Sequence, residues 1–136
     1  MSLARHGTGP TAAVDAFVSQ IHLVFMLPPV AASAFGAVLA VEFSVPLAAL
    51  HMATAFCALY VAHVKDGYID FYHRGEDDDH PLSARGCRVG LAGASTAFFI
   101  GCLTLGYLVD PIAALVTLPG WLIGYLHAPQ LDMHPL

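Results

Sequence analysis

This chain has very little charge. Only 11% of its residues are Asp, Glu, Lys or Arg, against about a quarter in an ordinary soluble domain. With 57% hydrophobic residues and a mean hydropathy of +0.69, a water-solvated globule is a poor fit. A buried soluble bundle would need a polar face on each helix, and almost none is visible. Five Lys and Arg stand against ten Asp and Glu, so no basic patch is present to neutralise nucleic-acid phosphates. Cysteine is sparse as well. Cys57, Cys87 and Cys102 are odd in number and form no Cys-x-x-Cys, which reads as small apolar filler and not as a disulfide framework. Residues 1–20 lack an apolar core before Phe17 and a small-residue cleavage site, so no secretory signal is expected there. A mobile leader and a short lead-in helix are expected instead. There is no internal repeat, low-complexity linker or soluble second domain, and residues 1–136 are read as one membrane domain.

What the chain has in their place is long uncharged runs. Residues 21–41, 45–64 and 89–109 each reach about 20 residues without Asp, Glu, Lys or Arg, the length that spans a bilayer. Residues 111–126 form a shorter run that suits a tilted or kinked fourth span. The fold class expected is all-α, a polytopic membrane bundle of about four helices. Pro28-Pro29 should kink the first span, and Pro119-Gly120 should bend the fourth. The small residues of spans one and three permit close helix packing.

The basic residues predict the topology. Arg5 precedes span one, and Lys65, Arg74, Arg85 and Arg88 lie between spans two and three. The turns at Glu42-Phe43-Ser44 and Val109-Asp110-Pro111 carry neither Lys nor Arg. By the positive-inside rule both termini and residues 65–88 should be cytoplasmic in a cell membrane.

Residues 65–88 are the exception to the scarcity of charge. They hold Asp66, Asp70, Glu76, Asp77, Asp78 and Asp79, six of the ten acidic residues. If span two runs on as a helix, Asp66 and Asp70 share a face, with His73 near the next turn. Paired carboxylates at a membrane mouth suit a hard divalent cation. Mg²⁺ takes a few carboxylates, several waters and a substrate phosphate. The plain alternative is that the run at residues 76–79 is only a solvated acidic face.

This segment resembles the first aspartate-rich motif of the UbiA superfamily of intramembrane prenyltransferases, Asn-Asp-x-x-Asp-x-x-x-Asp followed by Arg-Pro-Leu-x-x-Gly. Asp66 takes the place of the first aspartate, Pro81-Leu82 that of the Pro-Leu, and Gly86 stands in for the Gly one residue late. Gly124-Tyr125-Leu126-His127-Ala128-Pro129 is similar to the end of that family's fourth helix. Lys65 replaces the asparagine, Ile69 and His73 stand at the later aspartates, and His80 replaces the arginine. Asp70 is one place beyond the second aspartate. The resemblance covers about the first half of a family member.

It implies transfer of a prenyl group from a polyprenyl diphosphate to an aromatic or hydroxyl acceptor, with Mg²⁺ as cofactor. Asp66 and Asp70 would be the catalytic metal ligands, His73 and Asp79 would be further ligands, and Lys65, Arg74 and Arg85 would meet the diphosphate. It also implies that a second polypeptide or a second copy completes the bundle, or that the chain is a truncated or degenerate relative without activity of its own. A third reading uses the histidines. His22, His51, His63 and His127 lie in or beside spans, where ionisable residues are functional candidates, and could ligate haem or a metal.

Overall fold

The computed structural model describes residues 2–40 and 42–128. Its described residues form no strand. Five α-helices follow in order: α1 (Gly9–Val18), α2 (Leu23–Val38), α3 (Val45–Ile69), α4 (Ala84–Leu108) and α5 (Pro111–Leu126), with a π-helical turn, Asp70–Arg74, continuing α3. Helices α1, α3 and α5 open with proline at their first or second position, where the missing N–H costs nothing and the fixed φ is already helical. Asp110 caps α5 by accepting a 2.8 Å hydrogen bond from Ile112 N–H, and Ser83 caps α4 by accepting one of 3.0 Å from Gly86 N–H.

Two helices, α4 and α3 together with its π-helical turn, are long and apolar enough to cross a membrane. Helices α1 and α2 make a third span if they count as one, bent by 66°. The fold is thus an all-helical bundle with two or three candidate spans. The fourth expected span, α5, is apolar but has 16 residues. Large side chains such as Leu23, Phe25, Phe35, Leu103, Tyr107 and Val116 face outward. A water-exposed surface would not carry such a set, whereas lipid accepts it.

The centre is the antiparallel α3–α4 pair. Gly101 of α4 meets Thr54 of α3, and Gly90 meets Val64. A Cβ at Gly101 would overlap Thr54 Oγ1, so the two backbones approach as closely as small residues allow. Phe98, Val61 and Val64 are fully buried there. Helix α5 lies against both: Trp121 Nε1 donates a 3.0 Å hydrogen bond to Ser95 Oγ on α4, and Gly124 packs on Ala62 of α3. Helix α2 runs back along α3, with Ser33 Oγ 2.6 Å from His51 Nδ1.

Three boundaries differ from those read in the sequence. The first run, 21–41, is helical among its described residues only over α2, 16 residues that include Pro28 and Pro29, and it reaches the length of a span only together with α1, from which it is bent by 66°. The segment at 65–88 is not a loop from its start. It stays helical to Arg74 and turns at Gly75, whose φ of +66° suits a residue without Cβ. Nor is the start of the chain a loose leader. Ala4 bridges Leu82, Arg5 N–H donates to Pro81 O at 2.8 Å, and Ser83 N–H donates to Leu3 O at 2.9 Å. Ala4 and Leu82 are both buried.

Candidate functional site

The charged end of the bundle is assembled from three pieces: the end of α3 with its π-helical turn, the segment 75–83, and the strap at residues 2–7. Tyr72 Oη donates to Leu82 O at 2.9 Å and Tyr60 Oη to Phe17 O at 2.8 Å, which fixes the loop and α1 against α3. The strap holds Asp79. Arg5 lies 3.1 Å from its carboxylate, and His6 Nε2 lies 2.9 Å away. Arg5 also stacks over the Phe71 ring at 4.4 Å. The hydrogen bond from His6, aided by the His80 N–H and the Arg5 charge, holds the Asp79 carboxyl below its ordinary range.

Between these pieces is a polar hollow of about 390 Å³. Asp66 and Asp70 reach it from the end of α3, Asp77 and Asp79 from the loop, His22 from the α1–α2 break, and His80 from beside Pro81. No Lys or Arg lines it. A smaller hollow, of about 190 Å³, adjoins it and is walled by Phe25 and Met26 of α2 and Leu59 and Ala62 of α3, with His127 at the end of α5. Asp66 and His63 line both hollows. The two spaces therefore meet at those side chains, one polar and acidic, the other apolar.

Of the expected metal ligands, Asp66, Asp70 and Asp79 reach the polar hollow. His73 does not line it and sits edge-on to Tyr68, ring centroids 5.2 Å apart. The expected diphosphate partners are placed elsewhere. Lys65 is buried between α3 and α5, where its ammonium donates to the Tyr125 carbonyl and lies 3.8 Å over the Tyr125 ring. That carbonyl belongs to the last turn of α5, the negative end of its dipole. Arg74 turns back to Asp70 at 3.2 Å. Arg85 is exposed at the start of α4 and does not line the hollow.

Among the described residues no three His, Cys, Asp or Glu side chains gather tightly enough to hold one ion. That geometry lacks a dedicated metal cage, but Mg²⁺ seldom uses one. It binds through one or two carboxylates and completes its shell with water and substrate phosphate. Carboxylates at Asp66 and Asp70, the latter paired with Arg74, are the number of protein ligands that mode needs.

Asp77, read in the sequence as part of the acidic run, and His80, read at the motif's arginine position, join the wall, and His80 is only 3% exposed with its Nε2 lacking a hydrogen-bond partner. The contact of two histidines had no local signal in the sequence. His22 and His63, 41 residues apart, are hydrogen-bonded Nδ1 to Nε2, with ring centroids 4.3 Å apart and edge-on. His51 meets Ser33 of α2. No family model, curated protein or solved structure matches this chain.

Proposed function

We propose that this chain binds the diphosphate head of an isoprenoid donor at the polar hollow and acts as a UbiA-like, Mg²⁺-dependent prenyltransferase. The observation that carries the reading is the junction at Asp66, where an acidic hollow opens beside an apolar one. An amphiphile with a multiply charged head and a hydrocarbon tail matches that contrast. Arg74 and Arg5 pair with Asp70 and Asp79, but four carboxylates still line the hollow, so an anionic head would be favoured there when it arrives with a divalent cation. Asp66 near the end of α3 and Asp70 at the start of its π-helical turn would hold that cation. When bound, Mg²⁺ supplies the positive charge that offsets the departing diphosphate. The chain's own part is to orient the head against the end of α3 and to keep water from the allylic carbon with the apolar walls of α2 and α3. Arg74 would set the Asp70 carboxylate from four residues away.

In this reading the charged end and both termini are cytoplasmic, because Arg5, Lys65, Arg74, Arg85 and Arg88 all belong to it. The test is Mg²⁺-dependent binding of geranylgeranyl diphosphate to the purified chain in nanodiscs. Asp66→Asn should weaken binding at least tenfold. Glu76→Gln should change it little, because Glu76 is exposed and does not line the hollow. Small and equal effects of the two changes would leave a merely solvated acidic face.

A further inference from the structure

We infer that His80 is a direct hydrogen-bond donor of the polar hollow, and that its Nε2–H takes one phosphate oxygen of the bound head. This role rests on the diphosphate reading above and deepens it. His80 is 3% exposed, and its Nε2 has no hydrogen-bond partner. Buried polar atoms in folded proteins are nearly always met by protein, water or ligand. The other ring nitrogen decides what kind of partner this one needs. Leu82 N–H donates to His80 Nδ1 at 3.2 Å. Leu82 is fully buried, so its N–H needs that acceptor. Nδ1 also lies 3.1 Å from Leu82 O, but that carbonyl already accepts from Tyr72 Oη at 2.9 Å. With Nδ1 accepting, the ring proton sits on Nε2. The orphaned atom is therefore a donor, and it calls for an acceptor.

Its place in the wall is fixed from several sides. A Cβ at Gly67 would come within 2.9 Å of His80 Nε2, so the ring rests on bare backbone next to Asp66. Gly67, Gln20 and His80 all line the hollow. The His80 backbone N–H donates to Asp79 Oδ1 at 2.8 Å. Phe71 and Tyr72 flank the imidazole, with ring centroids 5.9 and 6.2 Å away. The rest of the wall is rich in acceptors, with four carboxylates, and Arg5 and Arg74 turn to Asp79 and Asp70. A divalent cation on the carboxylates covers some oxygens of a diphosphate and leaves others. His80 meets one of those with an N–H that adds no buried charge, and a hydrogen bond to an ionised oxygen is a strong one. A hydrated cation alone offers only donors, through its waters, and so gives His80 nothing.

The experiment is magnetic resonance of the full chain in nanodiscs, isotope-labelled at the histidine nitrogens, with calorimetric titration of magnesium pyrophosphate on the same samples. Long-range proton–nitrogen correlation reads each tautomer, and the signal lost in His80→Gln assigns His80. His80 should be in the Nε2–H form. Its Nε2–H resonance should move downfield with magnesium pyrophosphate and stay in place with Mg²⁺ alone. His80→Phe should weaken pyrophosphate binding about tenfold or more, the usual worth of one hydrogen bond to a charged group. His80→Gln, with an N–H near the same place, should recover most of it. Gly67→Ala keeps every polar group yet sets a methyl against Nε2, and should weaken binding in the same direction. Gly93→Ala, with open space at its Cβ, should not. If His80→Phe does not fold, Gly67→Ala and the resonance decide. An unprotonated Nε2, or an unmoved Nε2–H resonance in a chain that binds pyrophosphate, overturns the inference and leaves the transferase reading standing. A resonance moved by inorganic phosphate, in a chain that binds neither pyrophosphate nor geranylgeranyl diphosphate, supports the donor and overturns the transferase reading. No response to any of these anions overturns both.

Discussion

The two ends of the bundle solve the same problem with different residues. At the end formed by Ser44 and Asp110, a single carboxylate caps α5, and Glu42 stands at the rim of a hollow of about 460 Å³. At the other end the hollow is smaller, about 390 Å³, yet four carboxylates line it. Capping does not account for them, because Ser83 already caps α4. Asp70 lies in the π-helical turn that ends the α3 helix before Gly75, where a negative charge opposes the helix dipole at a cost of about 0.3–1 kcal/mol, which Arg74 offsets in part. Asp110 is therefore explained by the fold alone. Asp66 and Asp70 are placed where a fold has little use for acid. Size does not mark the candidate site, since the larger hollow is at the plainer end; charge against structural preference does.

Both ends of the bundle are carried by the closely packed α3–α4 pair. The largest expected effect comes from breaking that packing. Gly101→Ala puts a methyl group against Thr54, and overpacking of this kind costs about 1–3 kcal/mol. Gly93→Ala, with nothing within 4 Å of its added methyl, should be neutral or stabilising by up to about 1 kcal/mol, the helix-propensity difference. Thermal unfolding in detergent compares the two. Hydrogen exchange should show Gly101→Ala loosening the Asp110 cap and the Leu82 bridge together. Loosening confined to one end would show that the ends are independent.

The next effect separates the ends by role. Asp110→Ala should cost about 0.5–2 kcal/mol, the usual loss of an N-cap, and leave geranylgeranyl diphosphate binding intact. Asp66→Asn should show the reverse weighting, with binding lost and the midpoint of thermal unfolding little changed. A large binding defect in Asp110→Ala would erase the distinction between a structural and a functional carboxylate.

The helices were legible where the physics is local. Uncharged runs mark α3 and α4, the two long and apolar enough to cross a membrane, because burying charge in hydrocarbon is expensive, and the uncharged run at 111–126 matches the helix Pro111–Leu126. The continuation of α3 through Lys65 and Asp66 was harder to see, because charge ends an apolar run without ending a helix. Gly75 was the better stop signal. The bend between α1 and α2, across residues 19–22, carries no Gly or Pro to mark it. At the site, the i, i+4 spacing of Asp66 and Asp70 was readable as one helix face. The turning of Lys65 onto Tyr125 was not, nor was the meeting of His22 with His63. Each depends on packing between segments 60 and 41 residues apart, which no local pattern encodes. The strap was hidden for the same reason: Leu3, Ala4 and Arg5 look like an unstructured start until Pro81 and Ser83 supply backbone partners.

The smallest effect concerns that strap, which has no counterpart at the Asp110 end. Asp79 is exposed, and its carboxyl is held below its ordinary value of 3.8, first by the hydrogen bond from His6 and then by the His80 N–H and the positive groups beside it. A carboxyl whose folded pKa is lowered favours the folded arrangement above its unfolded value and loses that contribution as pH falls through the lowered one. The strap should therefore stay closed at neutral pH and loosen only in acid, below about pH 4. Amide exchange at Arg5 and Ser83, whose N–H groups donate to Pro81 O and Leu3 O, reads the closure directly. Protection at both amides should fall together in that acid window, and Asp79→Asn should flatten the pH dependence. Exposed pairs of this kind are weakly coupled and screened by salt, so the effect should be modest and should shrink further at high ionic strength. Protection that stays constant through the acid window would show that the backbone bridge from Ala4 to Leu82, and not the grip of Arg5 and His6 on Asp79, is what distinguishes this end of the molecule.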